Sequence, residues 1–401
     1  MQATVVANRN TNRYQQRSKL ITTKNEEEEK TMLKRLLSFV LATVMLMSTG
    51  ITAFATEVTG QHSDGFYVTS EDVPQKAIEH VQNSIGGMIN DLADLNSVKV
   101  GVPFKLSGAY YDLYYFVIYS NDRIIGTYRV YEADAGYTGI FSENSEIIEG
   151  LQKIAGLTSP DKPAKIIAGE HDDIYAIIDS NVYTVLEDAA GNSTSEKNLL
   201  LQPHTYDVES LVDISKGISI NLPQASVMTS PSYKFLQIGW DETQGNLPWC
   251  MAYVTASIMR YKTGKSLSTI SARKVMEWAY PNLTKAELEA TALSTSKADE
   301  YANTYDIDPT YTASRRTYAQ VASDIIADSP LAFICDNVNT GAKKSHAFVC
   351  RGYNDNSGNS FYSIWNPWYS EFERIYTSDN TYVNSAGTAK YLWSATMYGW
   401  N

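Results

Sequence analysis

Cysteine is nearly absent from this 401-residue chain: Cys250, Cys335 and Cys350 are the whole complement. Three thiols cannot staple a disulfide scaffold, and their odd number leaves at least one outside any intramolecular bridge. Basic residues are also in deficit, 33 against 45 acidic ones, for a net charge of -12. A nucleic-acid binder neutralises phosphates with clustered Lys and Arg; no such cluster occurs, and that class is set aside. Repeats, heptads, zinc-ligand spacings, phosphate loops and dinucleotide fingerprints are lacking too, so no cofactor is called for. An apolar run of about 20 residues, the length that spans a bilayer, is also missing. What is present is length: a chain of this size divides into two or three units, each able to bury a core, and two are expected here.

The longest apolar stretch, Leu36 to Met47, follows Lys34-Arg35 and leads to Ala53-Phe54-Ala55. A short apolar run between a positive start and a small-residue site is the pattern of a secretory signal, expected to be cut after Ala55 without leaving a stable membrane anchor. Such signals begin at their positive region. The expected start is therefore Met32, with the signal at 32–55 and residues 1–31, including Glu26 to Glu29, a mis-extended or disordered N-terminus.

Beyond the signal, Ala77, Ile78, Val81, Ile85, Met88 and Ile89 recur at helical spacing, which predicts one amphipathic helix between Ser70 and Asn90. The pattern then changes to runs rich in Tyr, Val and Ile. Tyr110 to Tyr119 and Ile124 to Tyr131 flank Asn121-Asp122, and Ile174 to Ile178 and Val182 to Val185 flank Asp179-Ser180-Asn181: two hairpins, with a short helix at Ile147 to Ile154 between them. The first unit is thus α+β and mainly antiparallel. Asn221 to Ser232 is rich in turn formers, which places the boundary there and gives domains of 56–225 and 226–401. The second unit opens with an apolar helix from Cys250 to Tyr261, ending before Gly264, and a second helix at Ser271 to Ala279 that stops at Pro281. Strands follow at Leu331 to Cys335, Ala347 to Tyr353, Phe361 to Trp365 and Tyr391 to Tyr398, again an α+β order. Asp355 to Asn359 lacks the closing acid of a calcium loop and reads as a hairpin turn.

Of five histidines only His346 lies in the second unit, so a base serving Cys250 within its own domain must be His346. A thiol is a good nucleophile only as thiolate, and a helix start plus an imidazolium lower its pKa; Cys250 begins a predicted helix. Asn366, in Trp365-Asn366-Pro367-Trp368, can supply an amide oxygen that fixes the imidazole plane. Gln244 can point its side-chain amide at a developing oxyanion beside the Cys250 N–H, a donor worth about 2.7–4 kcal/mol in comparable sites. Taken singly, each has a plainer reading: a small core cysteine, a satisfied histidine, two turn residues. Their joint occurrence in the order Gln, Cys, His, Asn shifts the balance. Cys335 and Cys350 are expected to be reduced core thiols, although a bridge between the strands that carry them is conceivable.

The stretch Glu242-Thr243-Gln244-Gly245-Asn246-Leu247-Pro248-Trp249-Cys250-Met251-Ala252-Tyr253 resembles the active-site segment of the staphopains, secreted papain-like cysteine proteases of bacteria. Val275-Met276, Pro281-Asn282-Leu283, His346-Ala347 and Trp365-Asn366-Pro367-Trp368 are similar to that family too. The resemblance implies a papain-like fold, with a helical subdomain facing an antiparallel β-barrel-like one, and a secreted cysteine endopeptidase acting on proteins or peptides. It carries Gln244, Cys250, His346 and Asn366 into catalytic roles, and Trp368 into that of shielding the Asn–His hydrogen bond from water. Residues 56–225 resemble, by position, the half-barrel propeptides of such enzymes, which act as intramolecular inhibitors of a latent proenzyme. The Cys-to-His interval is shorter than in papain, and papain's Cys-Gly-Ser/Ala-Cys-Trp signature is absent, which puts the cleft loops in doubt. Two other readings stand beside this one: a Cys-His acyltransferase or dedicated leader peptidase, and a secreted binding module with an inactive papain-like domain.

Overall fold

The structure, a computed structural model, describes residues 65–401 apart from 90–91, 93–96, 190, 196–198, 200–208, 221–231, 340–344 and 356–359. The expected signal segment, the residues before it, nearly all of the expected boundary and most of the 355–359 turn therefore lie outside the described residues.

The N-terminal region begins with β1 (Tyr67–Ser70) and α1 (Gln75–Ile89). The stripe Ala77, Val81, Ile85 and Met88 of α1 is fully buried, and each of its larger side chains contributes about 1.5–3 kcal/mol by leaving water. After β2 (Val98–Gly101) and β3 (Phe104–Lys105) comes the first hairpin, β4 (Tyr114–Ser120) and β5 (Arg123–Ala133). Its turn residues Asn121 and Asp122 have φ of 49° and 60°, the left-handed pair that a two-residue hairpin loop requires and that Asn and Asp tolerate. β6 (Gly136–Ser142) was not foreseen. The short helix is α2 (Ser145–Ala155), whose Glu146 and Ile147 amides donate to the Asn144 side chain. β7 (Ala164–Ala168) precedes the second hairpin, β8 (Ile174–Ile178) and β9 (Asn181–Leu186), which turns on Asp179 and Ser180 at φ 48° and 66°. β10 (Ser210–Asp213) and β11 (Gly217–Ile218) end the region.

The C-terminal region starts with β12 (Ser232–Phe235) and then turns helical: α3 (Cys250–Thr263), α4 (Ala272–Ala279), α5 (Lys285–Glu289) and α6 (Thr295–Asn303). α3 is buried continuously from Met251 to Arg260, packs on α4 and α6, and stops at Gly264, whose φ of 66° only glycine adopts at little cost. After β13 (Thr310–Thr312) and α7 (Tyr318–Ile326) the chain is all strand: β14 (Leu331–Asn337), β15 (Ser345–Asp355), β16 (Phe361–Trp365), β17 (Phe372–Tyr376), β18 (Thr381–Val383) and β19 (Lys390–Tyr398). The helices α5 and α7 were missed, although both begin with capping boxes, Thr284 with Glu287 and Thr317 with Gln320.

Two sheets organise these strands. One has the order β10-β1-β7-β8-β9 and lies wholly in the N-terminal region; the other runs β11-β2-β4-β5-β6-β17-β16-β15-β14-β19-β13 and crosses from one region into the other. The crossing is the antiparallel pair β6 and β17, with Ile140 opposite Ile375, Phe141 opposite Arg374 and Ser142 opposite Glu373. One hydrophobic cluster likewise gathers Phe104 and Tyr115 with Trp365 and Tyr382. Among the described residues the three cysteines are free thiols, and the register sets Cys335 opposite His346 and Cys350 opposite Leu331, so the two strand cysteines do not face each other. No helix of the described residues is long and apolar enough to cross a membrane.

Candidate active site

The first wall of the site is the start of α3. Trp249 caps it without a side-chain hydrogen bond, its ring being buried with Nε1 donating to Leu288 O at 3.1 Å. The first-turn amides are thus left unsatisfied by any cap, and the N–H groups of Cys250 and Met251 turn to the Cys250 thiol. The loop leading in is fixed from within the same helix: Arg260, 6% exposed, donates to Asp241 at 3.1 Å and Glu242 at 2.7 Å. Glu242 also accepts from the Ala272 amide at 3.0 Å, which ties that loop to α4.

The second wall is β15. It carries His346, 3% exposed, and brings the Cys250 Sγ to 4.0 Å from Ser345 O, with the Ala347 N–H also directed at the sulfur. His346 Nε2 lies 2.8 Å from Asn366 Oδ1. That oxygen also accepts from the Trp368 N–H at 3.1 Å, which identifies it as the amide oxygen and makes Nε2 the protonated nitrogen and Nδ1 the unprotonated one. Trp368 stacks on the imidazole with centroids 3.8 Å apart and planes 15° from parallel. Asn366 itself is completely buried.

Burial decides the protonation states. It pushes the Cys250 thiol above its ordinary value, against the opposing pull of the Ala347, Met251 and Cys250 amides. It pushes His346 down to about 4, only partly offset by the hydrogen bond to Asn366. Near neutral pH the resting pair is therefore thiol and neutral imidazole. The helix N-terminus expected to lower the thiol pKa is in place, with desolvation opposing it. Gln244 also differs in detail. Its backbone N–H donates to Pro367 O at 2.8 Å and sets it beside the Asn366 turn, but its Nε2 is engaged by Leu247 O at 2.6 Å. One amide N–H is left for the cleft, which Gln244 lines.

The cover comes from the N-terminal region. A cleft of about 1120 Å³ is lined by Cys250, His346 and Trp368 of the C-terminal region together with Glu170, His171 and Asp172 of the N-terminal region. Residues 169–173 form a rigid loop around buried Asp173, which accepts from the His171 amide at 3.1 Å, the Thr194 amide at 3.0 Å, the Thr194 hydroxyl at 2.9 Å and the Tyr175 hydroxyl at 2.8 Å. Gly169 cannot be anything larger, since a Cβ there would stand 2.1 Å from Asp173 Oδ1. At the loop's tip Asp172 accepts from the Tyr369 hydroxyl and, at 2.8 Å, from the Ala386 amide, and burial raises its carboxyl to about 7. Sequence reasoning missed Asp172, Tyr369, Glu373, Tyr382 and Arg129; the one visible sign was the polar run Glu170-His171-Asp172-Asp173 between two strands.

No group of three or more His, Cys, Asp or Glu among the described residues could hold a metal ion. Residues 232–400 match the family described as Staphopain peptidase C47, a span that takes in all five site residues named from the sequence. No curated protein matches the chain.

Proposed function

We propose, from the premise that residues 232–400 belong to the staphopain family of cysteine peptidases and share its papain-like α+β fold, that the chain is a secreted endopeptidase made as a latent precursor. Cys250 is the nucleophile, His346 the acid and base, Asn366 the group that orients His346, and Gln244 an oxyanion donor with the Cys250 N–H. The observation that carries this reading is the 2.8 Å His346–Asn366 hydrogen bond beneath Trp368, which leaves Nδ1 for a thiol at an uncapped helix start.

In the reaction the thiol proton passes to His346 Nδ1 and the sulfur attacks the peptide carbonyl. The oxyanion forms against the Cys250 N–H and the remaining Gln244 N–H. His346 then gives its proton to the departing amine as the C–N bond breaks, leaving an acyl-enzyme. A water, deprotonated by His346, attacks that thioester; the C–S bond breaks and the sulfur takes the proton back from His346, releasing the acid and restoring the thiol. Every proton is accounted for by one imidazole and one water.

Latency follows from the cover. Residues 170–172 line the same cleft as Cys250, and burial favours the neutral pair. Residues 56–225 act as the propeptide, the signal at 32–55 directs export, and cleavage near 221–235 frees the cleft. The test compares residues 56–401 with Cys250→Ala under reducing conditions, following chain mass and casein hydrolysis together. Shortening and casein hydrolysis by the wild type alone is the expected outcome. Inertness of both, even after trimming by an added protease, would sink the catalytic reading, and full activity of the uncut wild type would sink latency.

A further inference from the structure

Behind the catalytic asparagine lies a buried chain of hydrogen bonds that the proposed reaction does not yet use. Asn366 Nδ2 donates to the Tyr382 hydroxyl at 2.9 Å, and that hydroxyl donates to Glu373 Oε2 at 2.7 Å. The other carboxylate oxygen, Oε1, accepts from Arg129 Nη1 at 2.8 Å, and Arg129 Nε donates to Val383 O at 3.0 Å. None of these groups meets water: Arg129 and Asn366 are 0% exposed, Glu373 1% and Tyr382 2%.

The chemistry of the donors gives the chain a single direction. Glu373 is ion-paired, hence acceptor-only, so the Tyr382 hydrogen must point at it. The phenol oxygen then has only lone pairs to offer Asn366, which must present its NH2. The amide oxygen is thereby turned the other way, to the Trp368 N–H and to His346 Nε2. His346 must donate there, and Nδ1 keeps its lone pair for the Cys250 proton. Each step fixes the next, from a carboxylate on β17 to the imidazole.

Resting on the site proposed above, we infer that Tyr382 and Glu373 are positioning residues of the peptidase. They set which face of the Asn366 amide meets His346, and so hold the histidine tautomer that can accept the thiol proton. Arg129 links the same carboxylate to the N-terminal region, so Glu373 both anchors that region and orients the site.

The test uses the whole chain, compared as wild type, Tyr382→Phe, Glu373→Gln and Asn366→Ala, with kcat and KM on a peptide substrate across pH. Tyr382→Phe keeps the ring and removes the hydroxyl. It is expected to lower kcat about tenfold, the size of one hydrogen bond lost in the transition state, with KM within about twofold and the acid limb of the pH profile displaced. Combined with Asn366→Ala it should cost nothing more, because Tyr382 acts only through that amide. Glu373→Gln, which can still accept from the phenol, should retain more activity than Tyr382→Phe. An unchanged kcat and pH profile in Tyr382→Phe, or additive losses in the double variant, would overturn the inference while leaving the Cys250 and His346 roles standing. Undiminished hydrolysis by Cys250→Ala would instead overturn the site itself. Should Tyr382→Phe fail to fold, the His346 Nε2 proton resonance of the Arg129→Met, Glu373→Met double variant in a Cys250→Ala background, which removes the acceptor without stranding its cation, carries the test, an unaltered resonance counting against the chain.

Discussion

Two of the places where the N-terminal and C-terminal regions meet are built on opposite principles. At the seam between β6 and β17 the contact is backbone ladder, apolar side chains and two ion pairs, Arg129 with Glu373, sealed from water, and Arg374 with Glu143. At the cleft it is polar: a loop knotted around Asp173 presents Asp172 to Tyr369 and Ala386 without a bond to the proposed nucleophile. The seam supplies attachment; under the proposed latency the N-terminal region need not mimic a substrate, and has only to occupy the cleft.

That contrast can be broken experimentally. The largest effect is expected at the seam. Arg129→Met leaves Glu373 buried without its cation and should destabilise the whole chain by about 3–5 kcal/mol in denaturant unfolding. A change below about 1 kcal/mol would mean that the pair is not what fastens the regions. Gly169→Ala comes next: the added Cβ has no room beside Asp173 and Thr194, and a cost of about 1–3 kcal/mol is expected, together with casein hydrolysis by the untrimmed chain as the loop is displaced. A wild-type melting curve and full latency would show that the loop gives way freely.

The smallest effect is a pH dependence. The docked Asp172 carboxyl, raised from 3.8 to about 7, binds a proton that an undocked carboxyl would release. Docking therefore gains fully from this shift below the undocked value and loses the gain as pH rises through about 7. Trimming of the N-terminal region by an added protease should quicken between about pH 4 and 7, and Asp172→Asn should flatten that slope. A slope that survives the substitution would assign it elsewhere.

Much of this was readable in advance because local rules agreed with the fold. Asn121-Asp122 and Asp179-Ser180 announced their hairpins, Gly264 closed α3, and Gln244, Cys250, His346 and Trp368 line one cleft, with Asn366 buried against His346. The seam was not readable. β6 carries two glycines and no alternation, and β17 reads as a solvent-facing segment because Glu373 and Arg374 interrupt it. Both charges are buried only because partners arrive from distant positions, Arg129 for the glutamate and the Met88 carbonyl for the arginine. Asp172 was hidden for the same reason: its hydrogen-bond partners lie across the cleft, and no local pattern encodes them. Desolvation of the thiol was not readable either, because a helix terminus is a local feature whereas burial belongs to the assembled chain.

The most direct test of the account is the rate at which Cys250 is alkylated as a function of pH, read by peptide-resolved mass so that Cys335 and Cys350 are counted separately. It is measured on the intact chain and again after the N-terminal region has been cut away. Slow alkylation of the intact chain that rises only in alkaline solution, with fast alkylation at lower pH after cutting, is the predicted result. An intact chain that already reacts at the trimmed rate, with the same pH midpoint, would contradict the claim that burial under the N-terminal region holds the cysteine and histidine neutral.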